Sequence, residues 1–158
     1  ADVGIELLPR IIDRTQWDNN RDNNDFQLQW IPFDRLTYVP ADPRLMLGSQ
    51  SYGNEYFKWY QTDGESGVAP PEGSAVSKMY DAWDRASQAL TLEEADAAVN
   101  EMIADFVGAG YVIGVYGGGA VVNIVSNKMH NVQPDLVQDD IFRGVGIART
   151  QQFWLSQQ

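Results

Sequence analysis

The chain has 158 residues, enough for one ordinary domain, and its hydrophobic content of 44% and aromatic content of 11% are typical of a chain that folds. Its 22 acidic and 11 basic residues give a net charge of −11, which argues against nucleic acid as a partner because phosphate binding needs a concentrated basic surface. Cysteine is absent, which excludes zinc-thiolate sites, thiol nucleophiles and disulfides within these residues.

The first thirty residues predict two strands around a short helix. Residues 4–12 are typical of an edge strand, because Pro9 cannot donate a hydrogen bond to a sheet ladder. The polar residues 15–24 predict a short surface helix, and residues 26–30 alternate apolar and polar side chains as a half-buried strand does. We therefore expect a βαβ-like opening.

Residues 31–73 form a long segment that contains five of the seven prolines and many aromatic residues. Regular structure should be sparse in it, apart from a helical turn at residues 54–61. A loop of this length inside a compact domain is more often functional than idle. Its aromatic residues are Phe33, Tyr38, Tyr52, Tyr56, Phe57, Trp59 and Tyr60.

Two amphipathic helices follow this segment. Residues 76–90 carry apolar side chains at i, i+3, i+4 and i+7, which gives a helix with one apolar face. The second helix begins at Thr91, and Glu94 three residues later completes a capping box. Gly108 is placed to end this helix. The apolar faces of both helices need a covering layer.

A sheet is the predicted cover, because residues 111–116 and 120–126 are rich in β-branched side chains. The glycines between them lack the Lys-Ser/Thr of a phosphate-binding loop, and they predict a hairpin-like turn. His130 is the only histidine, so it cannot form a His-based metal cluster, and we expect it in a turn. The expected fold class is α/β, a mixed sheet flanked by helices.

Three segments occur in a distinctive order. Residues 57–71 read FKWYQTDGESGVAPP, residues 113–115 read IGV, and residues 121–132 contain Val-Val-Asn followed by Asn-Val. This order resembles the C-terminal lobe of family 5 extracellular solute-binding proteins, the receptors of ABC importers for peptides and oligosaccharides. Two departures are that Asp63 stands where the family usually has glycine, and that Gln133 interrupts the usual Asn-Val-Pro.

The resemblance implies a lobe like that of type II periplasmic binding proteins. Residues 1–158 would be one domain, most of the C-terminal lobe of a longer protein, and the tail at 135–158 could pack on the other lobe. Because members of the family are several times longer, we expect an excised piece. The implied function is capture of an oligopeptide or oligosaccharide in the periplasm for the permease subunits of an ABC transporter. No catalysis, cofactor or metal is implied.

The aromatic residues of the 30–60 region are the best candidates for a binding site, since flat rings suit sugar rings and peptide side chains. We expect Trp30, Asp34, Tyr38 and Trp59 to line the cleft wall. The aromatic rings would stack on the ligand, and the acid would accept from hydroxyl or ammonium groups. Asp42 is an equal contender for that acidic position.

Two other functions remain open at this level. One is a stand-alone carbohydrate-active hydrolase, which needs two carboxyl groups at a set separation across a cleft. The other is a protein-interaction domain that binds its partner through residues 31–73.

Overall fold

The computed structural model describes residues 4–32, 38–115, 117–118, 124–134, 136 and 148–156, and the regular structure of these residues is mainly helical. The α-helices are α1 (Arg14–Asp22), α2 (Asn54–Gln61), α3 (Ala75–Gln88) and α4 (Leu92–Ala109). Two strands of two residues, β1 (Met129–His130) and β2 (Trp154–Leu155), and two short 3-10 turns, Val39–Ala41 and Thr150–Gln152, complete the described elements.

The prediction of an α/β fold like the C-terminal lobe of type II periplasmic binding proteins, with a mixed sheet flanked by helices, is wrong. In the part of the chain that the structure describes, the only sheet is the antiparallel pair of β1 and β2, in which His130 faces Trp154. The sequence predicted a turn for His130, but the residue lies in β1, directly after the turn at 127–128. The predicted strands at 4–12 and 26–30 are not strands, and neither are the described parts of those at 111–116 and 120–126. Among the described residues, no backbone hydrogen bond pairs these segments with another extended segment, and a strand forms only where a neighbouring strand completes the ladder.

The helices, in contrast, form where their local signals predict them. The predicted surface helix at 15–24 is α1, which begins after Asp13, whose carboxylate accepts a hydrogen bond from the backbone N–H of Gln16 at 3.0 Å. The predicted helical turn at 54–61 is α2. The capping box of α4 is present, since Thr91 and Glu94 each accept from the other's backbone N–H at 3.2 Å.

The end of α4 differs from the prediction by two residues. The helix continues through Gly108 and ends at Ala109, and its C-cap is Gly110, which has a left-handed φ of 64°. Glycine adopts this conformation without a steric penalty, which makes it a common helix terminator. Gly108 lies within the helix and, unlike Gly110, does not have a positive φ.

The core lies where α3 and α4 pack on each other and on the segment around residues 45–47. The apolar faces of α3 and α4, which were expected to pack on a sheet, pack on each other and on these neighbouring residues instead. Tyr80 joins the two parts, because its hydroxyl donates to the carbonyl oxygen of Leu47 at 3.0 Å. The buried apolar residues are Val39, Leu45, Met46, Leu47, Phe57, Val76, Met79, Tyr80, Ala82, Ala98, Val99, Met102 and Phe106.

Candidate functional site

A loop at residues 62–68 folds back along α2, and we call it the 62–68 loop. The hydroxyl of Thr62 donates to the carbonyl oxygen of Lys58 at 2.9 Å and accepts from the backbone N–H of Ser66 at 3.0 Å. At the end of the loop, the backbone N–H of Val68 donates to the carbonyl oxygen of Glu55 at 3.1 Å. These bonds hold the loop against the helix that carries Trp59.

Two glycines permit the close approach between the loop and α2. Gly67 has a φ of +83°, and a Cβ there would lie 2.4 Å from the carbonyl oxygen of Glu55 and 2.5 Å from the backbone nitrogen of Trp59. Gly64 has a φ of +87°, and a Cβ there would lie 3.2 Å from the indole nitrogen of Trp59. Only glycine combines this backbone conformation with this lack of space. The loop therefore fixes the position of Trp59.

A groove of about 320 Å³ lies beside this loop, between the last turn of α2 and the middle of α3. We call it the acidic aromatic groove, because three aromatic and three aspartate residues line it. α2 contributes the aromatic pair next to its end, the 62–68 loop contributes one carboxylate, and α3 contributes the rest. The lining residues are Trp59, Tyr60, Asp63, Tyr80, Asp81 and Asp84.

The aromatic floor of the groove is a stacked tyrosine pair. The ring centroids of Tyr60 and Tyr80 are 4.4 Å apart, with an angle of 19° between the planes. The Tyr60 hydroxyl donates a hydrogen bond to the carboxylate of Asp84. The stack and this bond connect α2 to α3, so the floor of the groove has a defined shape.

The charge of the groove is negative. Burial raises the pKa of the Tyr60 phenol, and its hydrogen bond to Asp84 and the nearby carboxylates of Asp84 and Asp63 raise it further. Burial also raises the pKa of Tyr80, helped by the neighbouring tyrosines Tyr60 and Tyr56. Both phenols therefore remain neutral near pH 7, and the three aspartates are the ionisable groups that set the charge of the lining.

This arrangement is suited to binding. Aromatic faces give apolar contact to flat ligand groups, and carboxylates accept hydrogen bonds from hydroxyl, ammonium or guanidinium groups. A cation placed over an aromatic ring gains about 0.5–1 kcal/mol at an exposed site. Among the described residues, no group of three or more His, Cys, Asp or Glu side chains is arranged to hold a metal ion.

Comparisons with protein-family models, with curated proteins and with solved structures find no match to this chain. The groove and the order of the sequence motifs are therefore the features that bear on function. In the part of the chain that the structure describes, no helix is both long enough and apolar enough to cross a membrane.

The structure places the predicted site residues in different surroundings. Trp59 lines the acidic aromatic groove. Trp30 and Tyr38 do not line it; their side chains are 67% and 52% exposed. The backbone carbonyl of Trp30 accepts a hydrogen bond from the indole of Trp17 at 3.1 Å, which connects it to α1. Asp34 lies outside the described residues.

Asp42, the other predicted acid, is engaged within the chain. Its carboxylate accepts two hydrogen bonds from the guanidinium of Arg44, at 2.7 and 2.6 Å. Asp42 is buried. The Asp42–Arg44 pair therefore belongs to the start of the series of turns at residues 44–52, and neither residue lines the groove. A bidentate pair of this kind positions both side chains firmly.

Of the groove residues, the sequence indicates Trp59 as a site residue and Tyr60 only as a member of the aromatic group at 30–60; it does not indicate Asp63, Tyr80, Asp81 or Asp84 as site residues. Tyr80 lies on the apolar face that the periodicity of residues 76–90 predicts, and it is buried there. Asp84 follows it by one helical turn, so aromatic and acid share one side of α3. This i, i+4 spacing of a tyrosine and an aspartate is the one feature of the sequence that indicates a site on α3. It does not indicate that α2 forms the other side of the groove.

Proposed function

We propose that this chain captures a solute, an oligopeptide or an oligosaccharide, in the acidic aromatic groove and performs no chemistry on it. The observation that carries the proposal is the combination of Trp59 and a stacked tyrosine pair with three aspartates in one groove. Such a lining offers flat apolar contact next to hydrogen-bond acceptors, the combination that polar solutes with rings or side chains require.

Charge favours the peptide over the sugar. The groove lining contains three aspartates and no basic residue, and the chain as a whole carries a net charge of −11. A peptide that carries a free ammonium or guanidinium group gains Coulomb attraction and a cation–π contact with the aromatic floor. A neutral sugar gains hydrogen bonds and ring contact with the aromatic residues, but no Coulomb attraction. We therefore place an oligopeptide first and an oligosaccharide second.

The wider role in the proposal is that of the receptor of an ABC importer outside the cytoplasm, which passes the ligand to permease subunits. The order of sequence motifs suggests this role. The structure adds one supporting observation: the segment at 57–71 that carries much of the resemblance also builds the groove, since it includes Trp59, Tyr60 and Asp63. The two-lobed fold is not part of the proposal.

A thermal-shift panel tests capture directly. The panel contains di- to pentapeptides with free amino termini, the same peptides with acetylated termini, and gluco- and xylo-oligosaccharides. At a ligand concentration of about 100 times Kd, binding should stabilise the fold by about 2.7 kcal/mol. We expect a shift with the free peptides that is smaller with the acetylated ones.

Two variants locate the site. Trp59→Leu should abolish the ligand-induced shift, because it removes the aromatic wall of the groove. Trp30→Leu is the matched control, since Trp30 is an exposed tryptophan that does not line the groove, and it should retain the full shift. Circular dichroism of both variants checks that the helices are intact. The proposal fails if no ligand class stabilises the wild type, or if Trp59→Leu binds as well as the wild type does.

A protein-interaction domain is the second candidate, and one observation favours it, although at residues 4–12 and not in the segment 31–73 expected from the sequence. Four large apolar side chains occur within residues 4–12 and are 65–102% exposed: Ile5, Leu7, Leu8 and Ile11. Single exposed apolar residues are ordinary, but four of them within nine residues fit a segment that another protein covers. A partner that co-purifies with the wild type and is lost from a Leu8→Ser/Ile11→Ser variant would support this function; a partner retained by that variant would contradict it.

A further inference from the structure

A basic residue lies next to the acidic aromatic groove on α3 but does not line it. Arg85 follows Asp81 by four residues on this helix. An acid followed by a base at i+4 is a spacing at which the two side chains pair on a helix surface. Arg85 is therefore the guanidinium with which this chain could itself occupy a carboxylate of the groove.

Arg85 is instead directed toward α4. Its guanidinium donates a hydrogen bond to the carboxylate of Glu101. Both residues line a second groove, of about 430 Å³, between α3 and α4, and the linings of the two grooves share no residue. Glu101 thus holds the guanidinium away from Asp81.

The electrostatics of Arg85 agree with this geometry. The hydrogen bond to Glu101 and the charge of Glu101 raise the pKa of the Arg85 guanidinium most, and the charge of Asp81 also raises it. Asp81 is thus near enough to attract Arg85. Within the described part of the chain, the carboxylates of Asp81 and Asp63 form no hydrogen bond or ion pair, so both can accept from a ligand.

The lysines around the groove do not supply a competing charge. Lys58 on α2 pairs with Glu55 at 2.7 Å. Lys78 precedes Asp81 by three residues, which places the base before the acid, the less favourable order on a helix. Lys78 forms no ion pair with any described residue. Arg85 is therefore the basic residue whose position matters for the groove.

The chain itself shows how a guanidinium binds beside a tryptophan and an aspartate. On α1, the guanidinium carbon of Arg14 lies 4.8 Å from the ring centroid of Trp17, and its Nε donates to the carboxylate of Asp18 at 2.9 Å. A guanidinium is planar, so it stacks on an aromatic face and also bonds a carboxylate in its own plane. The acidic aromatic groove offers the same two kinds of group.

We propose that Glu101 is a positioning residue for solute capture, which holds Arg85 on α4 and so keeps the acidic aromatic groove open to the guanidinium of an arginine-containing peptide. This inference rests on the proposed function and specifies its ligand. Arg85 carries the same group as the ligand and competes for Asp81 when Glu101 does not hold it.

The expected effect of releasing Arg85 is modest and has a defined sign. An exposed i, i+4 ion pair changes the ratio of paired to unpaired side chains by about twofold, and a positive charge beside the groove also weakens its attraction for a cation. Glu101→Gln should therefore weaken the binding of an arginine peptide by about two- to fivefold.

An NMR titration that follows the indole N–H of Trp59 measures this effect. The probe is Gly-Arg-Gly with an acetylated amino terminus and an amidated carboxyl terminus, so that the guanidinium is its one charge. The same peptide with citrulline in place of arginine is the neutral probe, and it should bind more weakly and equally to wild type and Glu101→Gln. Equal binding of the two probes to the wild type would overturn the assignment of a guanidinium ligand.

Three variants separate positioning from a general structural or charge effect. Glu93→Gln makes the same charge change on α4 at an exposed residue that lines neither groove, and it should bind as the wild type does. Arg85→Gln should also retain binding, and the double variant Arg85→Gln/Glu101→Gln should regain it, because the competing guanidinium is gone. Wild-type affinity in Glu101→Gln would overturn the proposal, and so would a double variant that binds as weakly as Glu101→Gln.

A measurement without ligand distinguishes this proposal from solute capture. The Nε–H resonance of Arg85 should respond more to Asp81→Asn in the Glu101→Gln background than in the wild type, because only there does Arg85 pair with Asp81. An equal response in both backgrounds would overturn the positioning role. If no peptide binds the wild type, capture is refuted, and this comparison still decides whether Glu101 positions Arg85.

Discussion

Replacing Gly67 by alanine tests how the 62–68 loop positions Trp59. The substitution places a Cβ at a residue with a φ of +83°, which costs about 1–2 kcal/mol for an L-residue in the left-handed region. The same Cβ would lie 2.4 Å from the carbonyl oxygen of Glu55 and 2.5 Å from the backbone nitrogen of Trp59. Both atoms belong to the backbone of α2, so the loop must move away, at a further cost of about 1–3 kcal/mol.

The expected destabilisation of Gly67→Ala is therefore about 2–5 kcal/mol. Gly73→Ala is a matched control, because Gly73 has a φ of +71° but a Cβ there would meet nothing within 4 Å. It should lose only the conformational part, about 1–2 kcal/mol. Urea denaturation followed by circular dichroism measures both free energies of unfolding. Equal losses in the two variants would refute the close packing of the loop on α2.

Three further predictions concern the helices and the tyrosines. Thr91→Ala removes the N-cap of α4 and should lower the free energy of unfolding by about 1 kcal/mol; a loss of less than about 0.3 kcal/mol in urea denaturation would contradict the capping role. Met102→Ala removes a fully buried side chain and should cost about 2–5 kcal/mol. Val107→Ala, on the exposed side of the same helix, should change stability by about 0.5 kcal/mol or less, and similar losses in these two variants would disprove the assigned core. Because the pKa values of Tyr60 and Tyr80 are raised above 10 in the fold, their stabilising contribution is complete below pH 10 and is lost as the pH rises above it. The part of the tyrosinate absorbance that comes from Tyr60 and Tyr80 should therefore rise together with the loss of helical circular dichroism, and ionisation of all tyrosines before unfolding would contradict the burial.

The helices could be predicted from the sequence because their signals are local. A capping box, an apolar periodicity and a polar stretch each lie within a few residues of the helix that they specify, and the predicted bounds of α2 match the structure. The strands could not be predicted in this way. The β-branched residues at 111–116 and 120–126 indicate a preference for extended backbone, but a strand also needs a partner, and the identity of that partner is not a local property.

The candidate site was predictable only in part, for the same reason. Trp59 was predicted from the density of aromatic residues, which also selected Trp30 and Tyr38, although neither lines the groove. Aromatic density does not distinguish a ring in a groove from a ring exposed elsewhere. The groove depends on the contact of Tyr60 with Tyr80 and Asp84, residues at least 20 positions apart. Such a long-range contact follows from the packing of α2 on α3, which no local pattern specifies.

The most direct test of the central claim is an NMR titration that follows the indole N–H resonances while a tripeptide with a free amino terminus is added. The claim is that the acidic aromatic groove binds the solute, so the indole resonance of Trp59 should shift with a saturable dependence on peptide concentration. The resonance of Trp17, which lies on α1 away from the groove lining, should remain in place. A Trp59 resonance that does not move while that of Trp17 or Trp30 shifts would place the binding surface elsewhere and contradict the account.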